Sequence, residues 1–166
     1  MMGDFKLENG RLINYQPAMD VATFTGIKEL DNIDLKTVNC TVFLFKNKMY
    51  VPVTDVVSTS MDFSAFGMQS FGDDYEYHMQ LKLGAVLKGK SKKLLERQKN
   101  SGDEISKDDK DKSTIKIIYA NIAGKEKTGF DSKKLIQNME LKIQVQQKML
   151  DLIFHPKLVS FETGVQ

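Results

Sequence analysis

Tyr75-Glu76-Tyr77-His78-Met79-Gln80-Leu81-Lys82-Leu83 alternates apolar and polar residues without a break. A period of two puts Tyr75, Tyr77, Met79, Leu81 and Leu83 on one face of a strand. It puts Glu76, His78, Gln80 and Lys82 on the other. Strands with one apolar and one wet face belong to antiparallel sheets. Gly72-Asp73-Asp74, just before, is turn chemistry.

Upstream, Leu35 to Phe45 is rich in Val, Thr and Phe and reads as a strand. Lys46-Asn47-Lys48 is a polar turn, and Met49 to Ser58 is the returning strand. Met49, Val51, Val53 and Val57 are expected on one face of it, with Pro52 marking an edge or a bulge. Ser60 to Phe71 reads as a further strand in which Met61, Phe63 and Ala65 alternate, and Gly67 suggests a bulge. These connections are too short for parallel crossovers. Nearer the start, Asn9-Gly10 interrupts Phe5 to Ile13 as a hairpin signal. Pro17 opens a short helix, Ala18 to Phe24, which Gly26 stops.

Downstream the character changes. Val86 to Lys99 is basic and reads as a short helix capped by Ser91. Asn100 to Ser113 reads as a mobile charged loop. Thr114 to Ala123 is another strand, with Ile115, Ile117 and Tyr119 on one face and Ile118 and Ile122 on the other. Gly124 to Gly129 reads as a charged turn. Asp131 or Ser132 caps a long helix that runs to about Phe154 through Leu135, Met139, Ile143, Leu150 and Ile153, and Pro156 ends it. The expected fold is α+β: a curved antiparallel sheet of about five to seven strands with the basic helix and one long C-terminal helix packed on it. It forms a single domain over residues 5–154, with residues 155–166 as a tail. The long helix is expected to cover the apolar face Tyr75 to Leu83.

Composition adds boundaries. The chain has 166 residues, 28% of them charged, and a net charge of +2, a balance that says little about partners because a nucleic-acid binder usually shows a stronger basic excess, and no nucleic acid is expected. One cysteine, Cys40, forbids an internal disulfide and reads as a buried structural residue. His78 and His155 have no second ligand at metal spacing, and His78 reads as a solvated strand residue. The carboxylates at Asp73-Asp74-Glu76 sit in a turn, and those at Asp108, Asp109 and Asp111 are neutralised by interleaved lysines. Neither group has the pattern of a calcium loop. No serine elbow or phosphate-binding glycine loop occurs. No catalytic residue, metal site or cofactor is expected. The basic stretch Lys88, Lys90, Lys92, Lys93, Arg97 and Lys99 reads first as a solvated helix face and otherwise as a contact for anionic lipid head groups or nucleic acid, with no interleaved aromatics to stack on bases.

Several segments in order carry a family resemblance: Gly10-Arg11-Leu12-Ile13-Asn14-Tyr15-Gln16-Pro17, Glu29-Leu30-Asp31-Asn32-Ile33, Tyr50-Val51-Pro52 and Met61-Asp62-Phe63-Ser64-Ala65-Phe66-Gly67. Closest are Phe71-Gly72-Asp73-Asp74-Tyr75-Glu76-Tyr77-His78 and Leu81-Lys82-Leu83. From about Phe5 to Phe154 the chain resembles the AsmA-like C-terminal region, in the form common in Bacteroidetes. Lys88 to Lys112 departs from that pattern in being more basic. The resemblance implies a non-catalytic segment of a periplasmic, inner-membrane-anchored protein of outer-membrane biogenesis. Its strands would form an apolar groove that conducts phospholipid. The membrane anchor, and preceding strands that pair with this chain, are expected outside it. Val51, Val53, Phe63, Tyr75, Tyr77, Met79, Leu81 and Leu83 would then face lipid or a covering helix. Two other readings stand beside this one: a protein-interaction module that docks a partner by a sheet edge, and an anionic-surface binder acting through Lys88 to Lys99.

Overall fold

A computed structural model describes residues 1–59, 61–83, 88–101 and 114–154, with only the backbone described over 88–91. Seven strands form one antiparallel sheet in chain order. They are β1 (Met2–Ile13), β2 (Asn32–Phe45), β3 (Lys48–Ser58), β4 (Phe63–Ser70), β5 (Tyr75–Lys82), β6 (Thr114–Ile122) and β7 (Lys125–Phe130). Among the described residues there are also three helices, α1 (Gln16–Thr25), α2 (Lys88–Asn100) and α3 (Lys133–Phe154), and a 3-10 turn at Lys28–Leu30. This is the α+β architecture expected.

The turns explain where local reading succeeded and failed. Lys46 and Asn47 both take positive φ, 50° and 61°, and make the tight β2–β3 turn. Gly26, at φ 72°, ends α1 in the left-handed conformation and donates its N–H to Ala22 O. Asn9-Gly10 is not a turn. Asn9 takes φ 54° inside a continuous β1, whose pairing with β2 runs from Met2↔Phe43 to Ile13↔Asn32. The charged stretch after Gly124 is not a turn either. Ala123 and Gly124, at φ 52° and 78°, are the turn, and Lys125–Phe130 returns as β7. Ser91 lies inside α2, which begins at Lys88, so it is not the cap. Ser132 does cap α3: its Oγ accepts the Leu135 N–H at 3.2 Å. The expected loop falls mostly on residues 102–113, and His155, Pro156 and the tail on 155–166, all outside the described residues.

Two irregularities decide which side chains share a face. In β2 the register shifts between Leu35 and Thr37. Leu35 therefore faces with Ser58 and Val38 faces with Val56, on the face of Tyr75, Tyr77 and Met79. Beyond the shift the odd residues Phe43 and Phe45 lie on the opposite face, the face of His78. In β3 an extra residue between Val51 and Thr54, at Pro52, does the same. Val51, Thr54 and Val56 lie on the tyrosine face. Val53 and Val57, expected beside Val51, are 60% and 40% exposed.

Two apolar cores result. On the tyrosine face, α1, the 3-10 turn and α2 supply Val21, Ile27, Leu30 and Leu94. These pack on Ile33, Leu35, Val56, Leu81, Leu83, Ile115 and Ile117. On the histidine face, α3 lays Met139, Ile143 and Leu150 on Phe43, Phe45, Tyr50, Phe66 and Met68. Each such buried side chain contributes about 1.5–3 kcal/mol of burial free energy. The long helix therefore covers the face opposite the one expected.

Gly67, expected at a bulge, pairs with Val51 at the edge of the β3 bulge and with Tyr77 on its other side. A Cβ there would lie 2.2 Å from Glu76 O and 2.9 Å from Tyr77 Cα, so the residue is needed for close strand approach. Gly67→Ala is expected to cost about 3 kcal/mol in urea denaturation. Gly129→Ala, where a Cβ meets nothing within 4 Å, is expected to change stability by less than about 1 kcal/mol.

Candidate functional site

The tyrosine face is half closed. At the end of the sheet near Leu83 it is sealed by α1, the 3-10 turn and α2. At the other end it continues across β4, β3, β2 and β1 through Val51, Met49, Leu44, Val42, Cys40 and Phe5. Cys40, Val42, Leu44, Met49 and Val51 are half-buried, while Phe5 and Leu7 are 60% and 46% exposed. Cys40, expected to be buried, lies at this open end, with its Sγ 3.5 Å from Thr54 Oγ1.

Tyr75 and Tyr77 stand at the boundary and are half-buried. Tyr75 stacks on Tyr119 with ring centroids 5.1 Å apart. The Tyr119 hydroxyl donates to Asp20 Oδ2 of α1 at 2.8 Å. Burial pushes the Tyr119 phenol well up, helped by its hydrogen bonds to Tyr75 and Asp20. Tyr77 closes over Gly67 and donates to Gln69 Oε1 at 2.8 Å. Burial, with a smaller effect from Tyr15, pushes its phenol up to about 12.

Beneath α1 a crevice of about 90 Å³ opens between helix and sheet. Phe63, Met79 and Leu81 form its floor, Ala18 and Val21 its roof, and Leu12, Tyr15 and Pro17 its flank. Leu83 lies deeper, in the sealed core. The structure thus places Phe63, Met79 and Leu81 together at the crevice. Tyr75, Tyr77 and Val51 lie along the open end, and Val53 joins neither group.

The basic stretch divides. Lys92, Lys93 and Lys99 are exposed, and the side chains of Lys88 and Lys90 are outside the described residues. Arg97 has an internal task. Its Nη1 donates to Phe24 O at 3.1 Å, and its guanidinium lies over the rings of Phe24 and Phe130. Leu94 and Gln98 are buried against β6, where Gln98 Oε1 accepts the Lys116 N–H at 2.8 Å.

The other notable cluster lies on the histidine face, and local reading missed it. His78 is 1% exposed, not solvated, because α3 and its leading turn cover the strand's polar side. Its Nδ1 lies 2.6 Å from Asp131 Oδ2 and its Nε2 2.8 Å from Glu76 Oε1, with the ring stacked on Phe66 at 5.1 Å. Burial alone would lower the His78 pKa. The hydrogen bonds and charges of Asp131 and Glu76 outweigh it and raise the value to about 9. Glu76 is lowered chiefly by its hydrogen bond to His78, with Lys142 and Lys127 adding to the effect. With both ring nitrogens engaged and no hydroxyl or thiol in the cluster, this is a clasp and not a nucleophile–base pair. Asp73 and Asp74 lie in the β4–β5 turn, where Asp74 Oδ1 accepts the Ala123 N–H. No group of three or more metal-ligating side chains occurs among the described residues. No helix among them is long and apolar enough to cross a membrane.

Comparison with protein-family models, curated proteins and solved structures returned no match.

Because the folded His78 pKa lies above its ordinary 6.5, its stabilising effect is fully present below pH 6.5 and is lost as pH rises through about 9. Urea-unfolding stability is expected to fall by on the order of 3 kcal/mol across that window. His78→Gln is expected to flatten the slope there and to lower stability at pH 6. An unchanged slope in the variant assigns the pH dependence to other groups.

Proposed function

We propose that this chain is a non-catalytic segment of an AsmA-like envelope protein, in which the tyrosine face is the last part of an apolar β-groove for phospholipid. The observation that carries the reading is the half-open face. Val51, Met49, Leu44, Val42 and Phe5 make an apolar band with no helix over it among the described residues, and that band runs to β1, a twelve-residue strand that pairs along one edge among those residues. A contiguous apolar surface that is only partly covered, as here, marks an interaction or ligand site. A β-groove lined on one side and wet on the other needs that surface. It also needs an edge onto which further strands add.

In this reading α1 and α2 close the groove at one end of the sheet, and α3 supports the sheet from behind. Preceding strands of the full-length chain pair with β1. The protein acts in the periplasm, with its membrane anchor outside this chain. No cofactor takes part, and the work is passive: apolar side chains take acyl chains out of water at about 25 cal/mol per Å² buried. The edge of β1 that pairs with no strand among the described residues also favours a second reading, in which the segment docks a separate protein by strand addition.

Native mass spectrometry of the purified chain after incubation with phosphatidylethanolamine vesicles tests the first reading. Bound phospholipid is expected, and Val51→Glu and Leu44→Glu are each expected to reduce it at least about tenfold, since a carboxylate in the band must be desolvated. A chain that never acquires lipid sinks the conduit reading. Lipid uptake that ignores both substitutions moves the site elsewhere.

A further inference from the structure

We propose that the crevice beneath α1 is a binding site for the end of a hydrocarbon chain, entered from the side of Leu12 and Tyr15. Its walls are apolar throughout: Ala18 and Val21 above, Phe63, Met79 and Leu81 below. An apolar cavity gives water no partners and stays dry, so its natural occupant is an apolar group. The volume, about 90 Å³, admits a few carbons and excludes a headgroup or an aromatic ring system. This selects the tip of an alkyl chain over a whole lipid.

The ties on α1 show which side opens. Its middle and its C-terminal turn are held by polar contacts: Asp20, midway along the helix, accepts from Tyr119 at 2.8 Å, and Phe24 O accepts from Arg97 at 3.1 Å under a stacked guanidinium. Around the mouth, Pro17 and Ala18 line the crevice together with Leu12 and Phe63, and all four side chains are apolar. Thr25 and Gly26, where the helix ends in a left-handed residue, lie at the far end. Lifting the N-terminal turn therefore breaks no hydrogen bond among those described between α1 and the sheet. Lifting the C-terminal turn breaks the bond from Arg97 to Phe24 O, and the bond from Tyr119 to Asp20 holds the middle of the helix against it. The proposal deepens the groove reading, because it gives one chain end a resting place beside the open face. Its physics needs only the crevice.

Methionine methyls report on it directly. Met79 lines the crevice, whereas Met68 and Met139 sit in the core on the opposite face. The full chain, labelled with carbon-13 at the methionine methyls, is titrated with 1-heptanol, whose tail supplies the alkyl end. The Met79 signal is expected to shift saturably while Met68 and Met139 stay still. A motionless Met79, or all three moving together, overturns the site. Ala18→Phe fills the roof and is expected to weaken the Met79 response at least about tenfold. Val21→Ala enlarges the crevice and is expected to tighten binding several-fold. If Ala18→Phe displaces Met68 and Met139, Val21→Ala decides alone, and unchanged affinity there refutes the proposal. Heptanol binding at Met79 without phospholipid uptake by the chain removes the groove reading and keeps the crevice. Phospholipid uptake with a silent Met79 does the reverse.

Discussion

The contact between His78 and Asp131 settles which face of the sheet each helix takes. His78 belongs to the polar side of β5, and Asp131 is the last residue before the α3 cap. Joining them at 2.6 Å starts α3 on the histidine face, and the helix then runs over Phe66, Met68, Tyr50 and Phe43. A buried imidazolium is costly without partners. Here Asp131 and Glu76 occupy both ring nitrogens, and Phe66 stacks on the ring. Once α3 has this face, α1, the 3-10 turn and α2 are the described elements that remain for the tyrosine face. They reach one end of it.

The strands are written for that division. In β2, Ile33, Leu35, Phe43 and Phe45 are all odd-numbered, which by simple alternation places them on one face. The shift after Leu35 sends the first two to the tyrosine face and the last two to the histidine face. Asn9, at φ 54°, accommodates the same irregularity in β1. The extra residue at Pro52 repeats the device in β3, where a missing N–H makes the ladder easy to break. Each face thereby has one sealed apolar core, and the two cores lie at opposite ends of the sheet. A face with only one sealed end leaves the rest of its apolar residues half covered.

Strand existence was legible because period-two runs such as Tyr75 to Leu83 are long and uninterrupted. The helix ends were legible from Pro17, Gly26 and Ser132, whose backbone chemistry is local. Face assignment was not, because a one-residue shift inverts every later side chain and leaves no mark in composition. Pro52, which fits an edge or a bulge, and Gly67 opposite it were the visible signs of one, and neither says that Val53 leaves the face of Val51. His78 was misread for a related reason. Its partner Asp131 is 53 positions away, and a polar residue on a strand's wet side says nothing about whether a helix will cover it. The crevice depends on how α1 sits against β4 and β5, which no local pattern encodes.

The two edges of the sheet are treated differently, and this asymmetry bears on why the open end is tolerated. β7 is six residues long, begins Lys125-Glu126-Lys127 and has Phe130 packed under Phe24 of α1. Short length, charge and cover are the ordinary means of blunting an edge. β1 is twice as long and carries Phe5 and Leu7 exposed on the tyrosine face. Its charges, Asp4, Lys6 and Glu8, lie on the histidine face, where Lys6 pairs with Glu8 and Asp4 accepts from Thr41. Protection is thus confined to the wet side of the strand. An edge that is guarded on its polar side and apolar on the other suits a neighbour that continues the sheet with the same two-faced pattern. The half-closed face and the unguarded edge meet at Phe5 and are best understood as one feature, an apolar surface that continues where the sheet does.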